Sequence, residues 1–217
     1  QTEIVRLDLL GAANADDPGA PTQYTIEEVT VYELEGDRQE KRLSAFFTAH
    51  ATMRLFHRAL AERRLPVLSK LSTSQFNERV WKRLNDQTLA LLELPKLGPQ
   101  PQILGTSFHG ALTQVDIRDG GMPMTVVLRH QAGELRVDDI HVPASGRPSS
   151  LKDTWDLTIP VVEFSEAMRT ADLGRLQRNS SHNLTRQVWN HVDSIPPLGQ
   201  VTLKHLGAPL TGARFDD

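Results

Sequence analysis

The stretch FHRALAERRLPVLSKLSTSQFNERVW, Phe56 to Trp81, is read a second time without a gap as FSEAMRTADLGRLQRNSSHNLTRQVW, Phe164 to Trp189. The two lie 108 residues apart. Seven positions are identical: Phe56/Phe164, Ala59/Ala167, Leu65/Leu173, Leu68/Leu176, Ser72/Ser180, Val80/Val188 and Trp81/Trp189. A repeat of fixed period constrains architecture before any single residue does.

Within the first copy, Met53, Phe56, Leu60 and Arg64 fall on one helical face with Ala49 and Ala59 close by, which predicts a helix over about 46–64. Pro66 breaks that pattern, and Leu65, Val67, Leu68 and Leu71 predict a short second helix. Ser72-Thr73-Ser74 offers capping hydroxyls to a third helix carrying Val80, Trp81, Leu84, Leu89 and Leu92. The second copy repeats this order: Val162, Phe164, Ala167 and Met168, then Asp172-Leu173-Gly174-Arg175-Leu176, then Ser180-Ser181 ahead of Leu184, Val188, Trp189 and Val192.

Strands follow the helices of the first copy. One long strand is expected from Gln102 to Ile117, bent at Gly105 and Gly110, with others over Met124–Gln131 and Leu135–Val142 after turns at Asp119-Gly120-Gly121 and Ala132-Gly133. Helices followed by a meander make the fold class α+β. The match extends further. Ile26–Val31 parallels Val137–Val142, Val5–Leu10 corresponds to the Met124 strand, and Gly207-Ala208-Pro209-Leu210-Thr211 echoes Gly110-Ala111-Leu112-Thr113. The chain therefore opens near the end of one unit and closes in the middle of another. Two domains are expected, 36–143 and 144–217 completed by 1–35. The competing reading is a piece of a longer array. An unpaired half-sheet would leave an edge and an apolar face bare, which favours completion by the N-terminal hairpin.

Composition narrows the classes. At 217 residues, a spacing of 108 suits two domains of ordinary size. The net charge of −3 comes from interspersed acids and bases, so no basic stripe points to nucleic acid. No apolar run reaches the roughly 20 residues of a membrane span. Cysteine is absent, which removes disulfides and thiolate metal sites in any compartment. The first residue is Gln1 rather than Met, so an exported chain that has lost a leader and a trimmed cytoplasmic one both fit.

Candidate chemistry is sparse. Glu27-Glu28 and Asp138-Asp139 recur at equivalent strand positions, and strand alternation should turn one of each pair toward the helices. An inward carboxylate in an apolar site would have a raised pKa and could serve as a general base, although solvated strand edges and turn caps are the commoner use. His109, His130 and His141, with Asp116, could line one pocket on the strands, but their spacing matches no metal signature, and no metal or cofactor is expected. The pocket lining is accordingly expected from His109, Asp116, His130, Asp139 and Glu28. Trp81 and Trp189 could stack on a ligand, but a Trp repeated on an apolar helix face is more often core.

Phe56-x-x-Ala59-Leu60…Leu65-x-x-Leu68, its copy Phe164-x-x-Ala167-Met168…Asp172-Leu173-x-x-Leu176, and the Gly133-Glu134-Leu135-Arg136-Val137 strand together resemble the NTF2-like superfamily, which includes SnoaL-like and ketosteroid-isomerase-like proteins. The resemblance implies two cone-shaped domains, each with helices packed on a strongly bent antiparallel sheet around a pocket. It implies no particular activity, since many members only bind. A non-catalytic tandem module binding a small apolar ligand or a protein partner is the expected function, as a pseudo-twofold monomer or weak homodimer. The alternative is an isomerase- or dehydratase-type enzyme, for which the ketosteroid-isomerase relatives' pocket Asp is the precedent.

Overall fold

A hairpin followed by a 19-residue helix occurs twice in the chain, and the rest of the structure is arranged around these two events. The computed structural model describes residues 3–12, 23–33, 40–98, 100–143 and 147–192. The first hairpin pairs β1 (Glu3–Ala12) with β2 (Gln23–Glu33), and β3 (Glu40–Arg42) adds to β2 in a three-stranded antiparallel sheet. Then come α1 (Leu43–Ala61), α2 (Leu65–Leu71), α3 (Ser74–Arg79), a 3-10 turn at Trp81–Arg83 and α4 (Asp86–Leu91). The four strands β4 (Gln102–His109), β5 (Leu112–Asp119), β6 (Met122–Gln131) and β7 (Glu134–His141) form an antiparallel meander. Finally α5 (Leu151–Arg169), α6 (Leu173–Arg178), α7 (His182–Gln187) and a 3-10 turn at Trp189–His191 repeat the helical order. The chain is an α+β protein with antiparallel sheets.

Several backbone devices recur 108 residues apart, although Asp172 caps α6 with its side chain and Arg64 at the start of α2 does not. Both long helices end at a left-handed residue, Arg63 (φ 53°) and Ala171 (φ 55°). Past it the amides of Arg64 and Asp172 bond back to the carbonyls of Ala59 and Ala167, at 2.8 and 2.9 Å. Those two alanines are buried. Thr73 and Ser181 cap α3 and α7 by accepting from the amides of Phe76 and Leu184. The matched serines and tryptophans prove to be one interaction made twice: Trp81 Nε1 donates to Ser72 Oγ at 2.7 Å, and Trp189 Nε1 donates to Ser180 Oγ at 2.7 Å.

The sheets repeat as well, including their irregularity. In the first hairpin Asp8 faces Glu28 and Leu9 faces Ile26, so Glu27 is the extra residue of a β-bulge. In β6–β7, Val127 faces Asp139 and Leu128 faces Val137, so Asp138 is the extra residue. Beyond the bulge Leu7 faces Val29 as Val126 faces Ile140. The pairing of Thr30 with Arg42 on β3 has its counterpart in the bridge between His141 and Ser150.

Three sequence expectations are corrected. Gln102–Ile117 is a hairpin rather than one bent strand, because Gly110 adopts φ 58° and turns the chain between β4 and β5. The helix expected through Val80–Leu92 is broken into α3, the 3-10 turn and α4; Asn85 caps α4 with a reciprocal Thr88 pair and so restarts the helix. The long helix α5 begins at Leu151, well ahead of Val162, and its first turns bury Leu151, Trp155, Ile159 and Val162 in the first copy's core. That core also contains Ala49, Met53, Phe56 and Leu60 of α1, Phe76, Trp81, and Met124, Val126, Leu128, Val137 and Ile140 of the sheet. A smaller cluster, Ala167, Met168, Leu176 and Trp189, gathers beyond it. The strands that would complete the second domain from residues 193–217 lie outside the described residues.

Removing the Ser72 hydroxyl leaves a buried indole N–H without a partner. Ser72→Ala should therefore lower the unfolding free energy by about 1–3 kcal/mol, and Trp81→Ala by about 3–5 kcal/mol, both read by urea titration. Equal losses for Ser72→Ala and for a solvent-exposed serine control would contradict this account of the match.

Candidate functional site

The space between α1 and the β4–β7 sheet is filled. Met53, Phe56, His57, Leu60, Pro95, Leu97, Ile117, Met124, Val126 and Ile140 surround a residual cavity of about 10 Å3, room for a single water at most. An apolar ligand has no place there without repacking.

The candidate carboxylates are structural struts. Asp139 is buried on β7 and accepts from Ser150 Oγ at 2.7 Å, from the Ile140 amide at 2.7 Å and from the Lys152 amide at 3.2 Å, so it caps the first turn of α5. His141 Nε2 lies 3.6 Å from it. Glu28 does the same for α1: it accepts from the Ser44 amide at 3.2 Å and from the Ser44 hydroxyl. These two Ser44 donors hold the Glu28 carboxyl below the usual carboxylate range. Strand alternation fails at the second pair because the bulge lies there. Asp138 is buried alongside Asp139, accepting from Thr73 Oγ1 at 2.9 Å with Lys152 Nζ at 3.6 Å.

The remaining expected lining residues are not brought to the filled space. His109 and His130 are exposed near strand ends. Asp116 is exposed, accepts from Thr125 Oγ1 at 2.6 Å, and shares with His141 a shallow groove of about 450 Å3. Among the described residues no three His, Asp or Glu side chains stand close enough to hold a metal ion. Trp81 and Trp189 are buried in the two cores, not set on a surface where a ligand could stack.

A dyad that sequence reasoning missed stands nearby. His57 on α1 and Asp119 at the end of β5 are both buried, and His57 Nε2 lies 2.7 Å from Asp119 Oδ2. The Gly98 amide donates to both Asp119 oxygens at 2.9 Å. The dyad borders a cleft of about 540 Å3 flanked by Arg54, Arg58, Glu62 and Gln100. Arg58 is paired with Glu62 at 2.8 Å, while Arg54 makes no ion pair among the described residues. The two partners are 62 residues apart and Asp119 reads as part of an Asp-Gly-Gly turn, so no local spacing could have paired them.

The other notable surface is apolar. On β1 the alternating residues Val5, Leu7 and Leu9 are 57%, 53% and 54% exposed, with Ile26 opposite and Leu43 and Phe47 of α1 beside them in sequence, also exposed. At the far end, Leu157, Val161 and Leu184 are exposed on α5 and α7. Single exposed apolar residues are ordinary, but rows of them at strand and helix spacing mark binding surfaces.

Two predictions follow from the caps. Asp139→Ala should cost about 2 kcal/mol of global stability, because it strips buried donors at the junction of β7 and α5. For Glu28 the sign runs with its lowered pKa: its contribution is complete above the ordinary 4.5 and is lost as pH falls through the lower folded value. Hydrogen exchange at the first turn of α1 should accelerate on acidification in the native chain and be fast at every pH in Glu28→Gln.

Neither a family model, nor a curated protein, nor a solved structure matches this chain.

Proposed function

We propose that the chain is a non-catalytic, protein-binding module built from a duplicated NTF2-like unit, with the second unit permuted. The observation carrying this reading is the pairing of a filled interior with apolar rows left bare at both ends of the fold. A small apolar ligand is less well supported, because among the described residues the space between α1 and the β4–β7 sheet holds one water at most. The protein partner keeps its support, since Val5, Leu7 and Leu9 form one apolar face of β1 while Arg6 and Asp8 occupy the other, and an exposed apolar sheet face suits a flat protein surface. A photo-crosslinking residue at Leu7 or Val161, introduced into cells making the chain, should yield adducts with a protein identified by mass spectrometry. The same residue at Arg118 on β5 of the four-stranded sheet should yield none. Adducts equally frequent at all three positions, or absent from Leu7 and Val161, would overturn the reading.

The His57–Asp119 dyad favours a second reading, an acid–base enzyme. Asp119 would hold the imidazole in one orientation and Arg54 would attract an anionic substrate to the cleft. This reading requires turnover that His57→Gln abolishes while thermal stability is kept. If His57→Gln merely unfolds the chain, the dyad is a strut between α1 and the turn after β5.

A further inference from the structure

Of the eleven large apolar residues exposed among the described ones, all but Leu55 and Leu104 stand, position for position, where the first copy has core residues. Val5, Leu7 and Leu9 stand where Met124, Val126 and Leu128 stand on β6, and Ile26 stands where Val137 stands on β7, with the bulge at Glu27/Asp138 in register. Leu43 and Phe47 correspond to Leu151 and Trp155, each in the first two turns of a long helix just past its hairpin. In the first copy all six counterparts are buried, none more than 4% exposed. At the other end, Leu157, Val161 and Leu184 correspond to Ala49, Met53 and Phe76, all of them wholly buried. The first copy shows how the two sets meet: Met53 and Phe56 close over Met124 and Val126, and Phe76 stacks on Trp155 at 6.1 Å. One set therefore carries the hairpin half of a core and the other the helical half.

From this match we infer that the N-terminal hairpin of one copy, with Leu43 and Phe47, docks on α5–α7 of a second copy and completes there the core that β6–β7 and α5 complete in the first unit. The inference rests on the protein-binding reading above and names the partner. Among the described residues the hairpin's main helical contact is α1, and Val5, Leu7, Leu9 and Ile26 remain more than half exposed. The polar contacts are complementary too. In the first unit the Thr73 amide donates to the Val137 carbonyl at 2.9 Å and the Thr73 hydroxyl to Asp138 at 2.9 Å. Their counterparts are Ser181, Ile26 and Glu27, and all three are exposed. The strand that would dock, β1, is an edge of its sheet among the described residues. Such a contact uses different surfaces on the two copies, so it is heterologous and propagates head to tail into a ring or a filament.

The test uses the full chain and two variants altered only at exposed positions. Leu7→Glu/Leu9→Glu spoils the hairpin and leaves the helices; Leu157→Glu/Val161→Glu spoils the helices and leaves the hairpin. Sedimentation velocity should show the native chain in assemblies that dissociate on dilution, each variant monomeric, and the equimolar mixture as a one-to-one heterodimer. The chain lacks cysteine, so Ile26→Cys in one chain and Ser181→Cys in another should form an intermolecular disulfide in the mixture. A monomeric native chain, or variants that stay monomeric when mixed, would overturn the inference. An Ile26→Cys/Ser181→Cys chain that closes on itself at every dilution would overturn it in favour of closure within one chain. Crosslinks from Leu7 to a different protein would also remove the second copy as partner, while leaving the protein-binding reading standing.

Discussion

The structure depends on a helix that has to bury two faces at once. In α5 the residues Leu151, Trp155, Ile159 and Val162 run along one stripe and close the core of the preceding unit. Leu157, Val161, Phe164 and Met168 run along the next stripe and begin a new one, with Phe164 and Met168 packed against Leu176 and Trp189. A helix with two apolar stripes cannot be satisfied by one sheet, because each stripe spans only about 100° of the surface and they face different ways. In α1 the founding stripe, Ala49, Met53, Phe56 and Leu60, is buried, while the closing residues Leu43 and Phe47 are not. The first unit is therefore finished by α5, while the equivalent residues of α1, Leu43 and Phe47, lie exposed.

The joint between hairpin and helix is enforced electrostatically. A bulge at Glu27 or Asp138 shifts the strand register, and the carboxylate that follows it is thereby aimed at the first turn of the next helix. Unpaired amides and the positive end of the helix dipole meet a negative charge there. Asp139 does this in a buried setting with three donors, so the angle between β7 and α5 is fixed. Glu28 does it in a half-buried setting, accepting from the Ser44 amide and hydroxyl and from the Val29 amide at 3.0 Å.

The helical part of this plan was legible in sequence because its identities are chemical pairs. Ser72 with Trp81 is a hydrogen bond, Ala59 is buried where the helix ends, and Leu68 is wholly buried, so substitutions there are costly and the repeat survives. The α+β order and the hairpin equivalence could also be read, from turn residues and alternation. The use of the paired carboxylates could not: period-two reasoning assigns one of each pair to the interior and has no means of seeing a bulge. The first half of α5 escaped because Trp155 and Phe47 are equivalent in position but not in identity. The role of Trp155 only becomes visible once Phe76 is seen against it at 6.1 Å. The His57–Asp119 dyad escaped for a different reason, since it joins a helix to a turn across the sheet and leaves no spacing to recognise.

The two joints of the plan also differ in charge. Where α5 closes the first core, Arg79 pairs with Asp153 at 2.8 Å and Asp156 at 2.9 Å, and Arg83 pairs with Asp156 at 3.0 Å and Glu163 at 3.2 Å. These groups are roughly a third exposed or less apart from Asp153, and as a shared network they add orientation more than raw stability. At the equivalent positions stand Ala45, Thr48 and Leu55 on α1, and Gln187 and His191 after α6, a set without a carboxylate that cannot rebuild the network. A core closed there is held by apolar burial and a few hydrogen bonds, without ionic register. Apolar burial between separate chains must also overcome the entropy of association, which the covalent joint at α5 does not. In the docking proposed above, the unit would thus close permanently where the chain is continuous and carries charge, and reversibly where it meets a second copy.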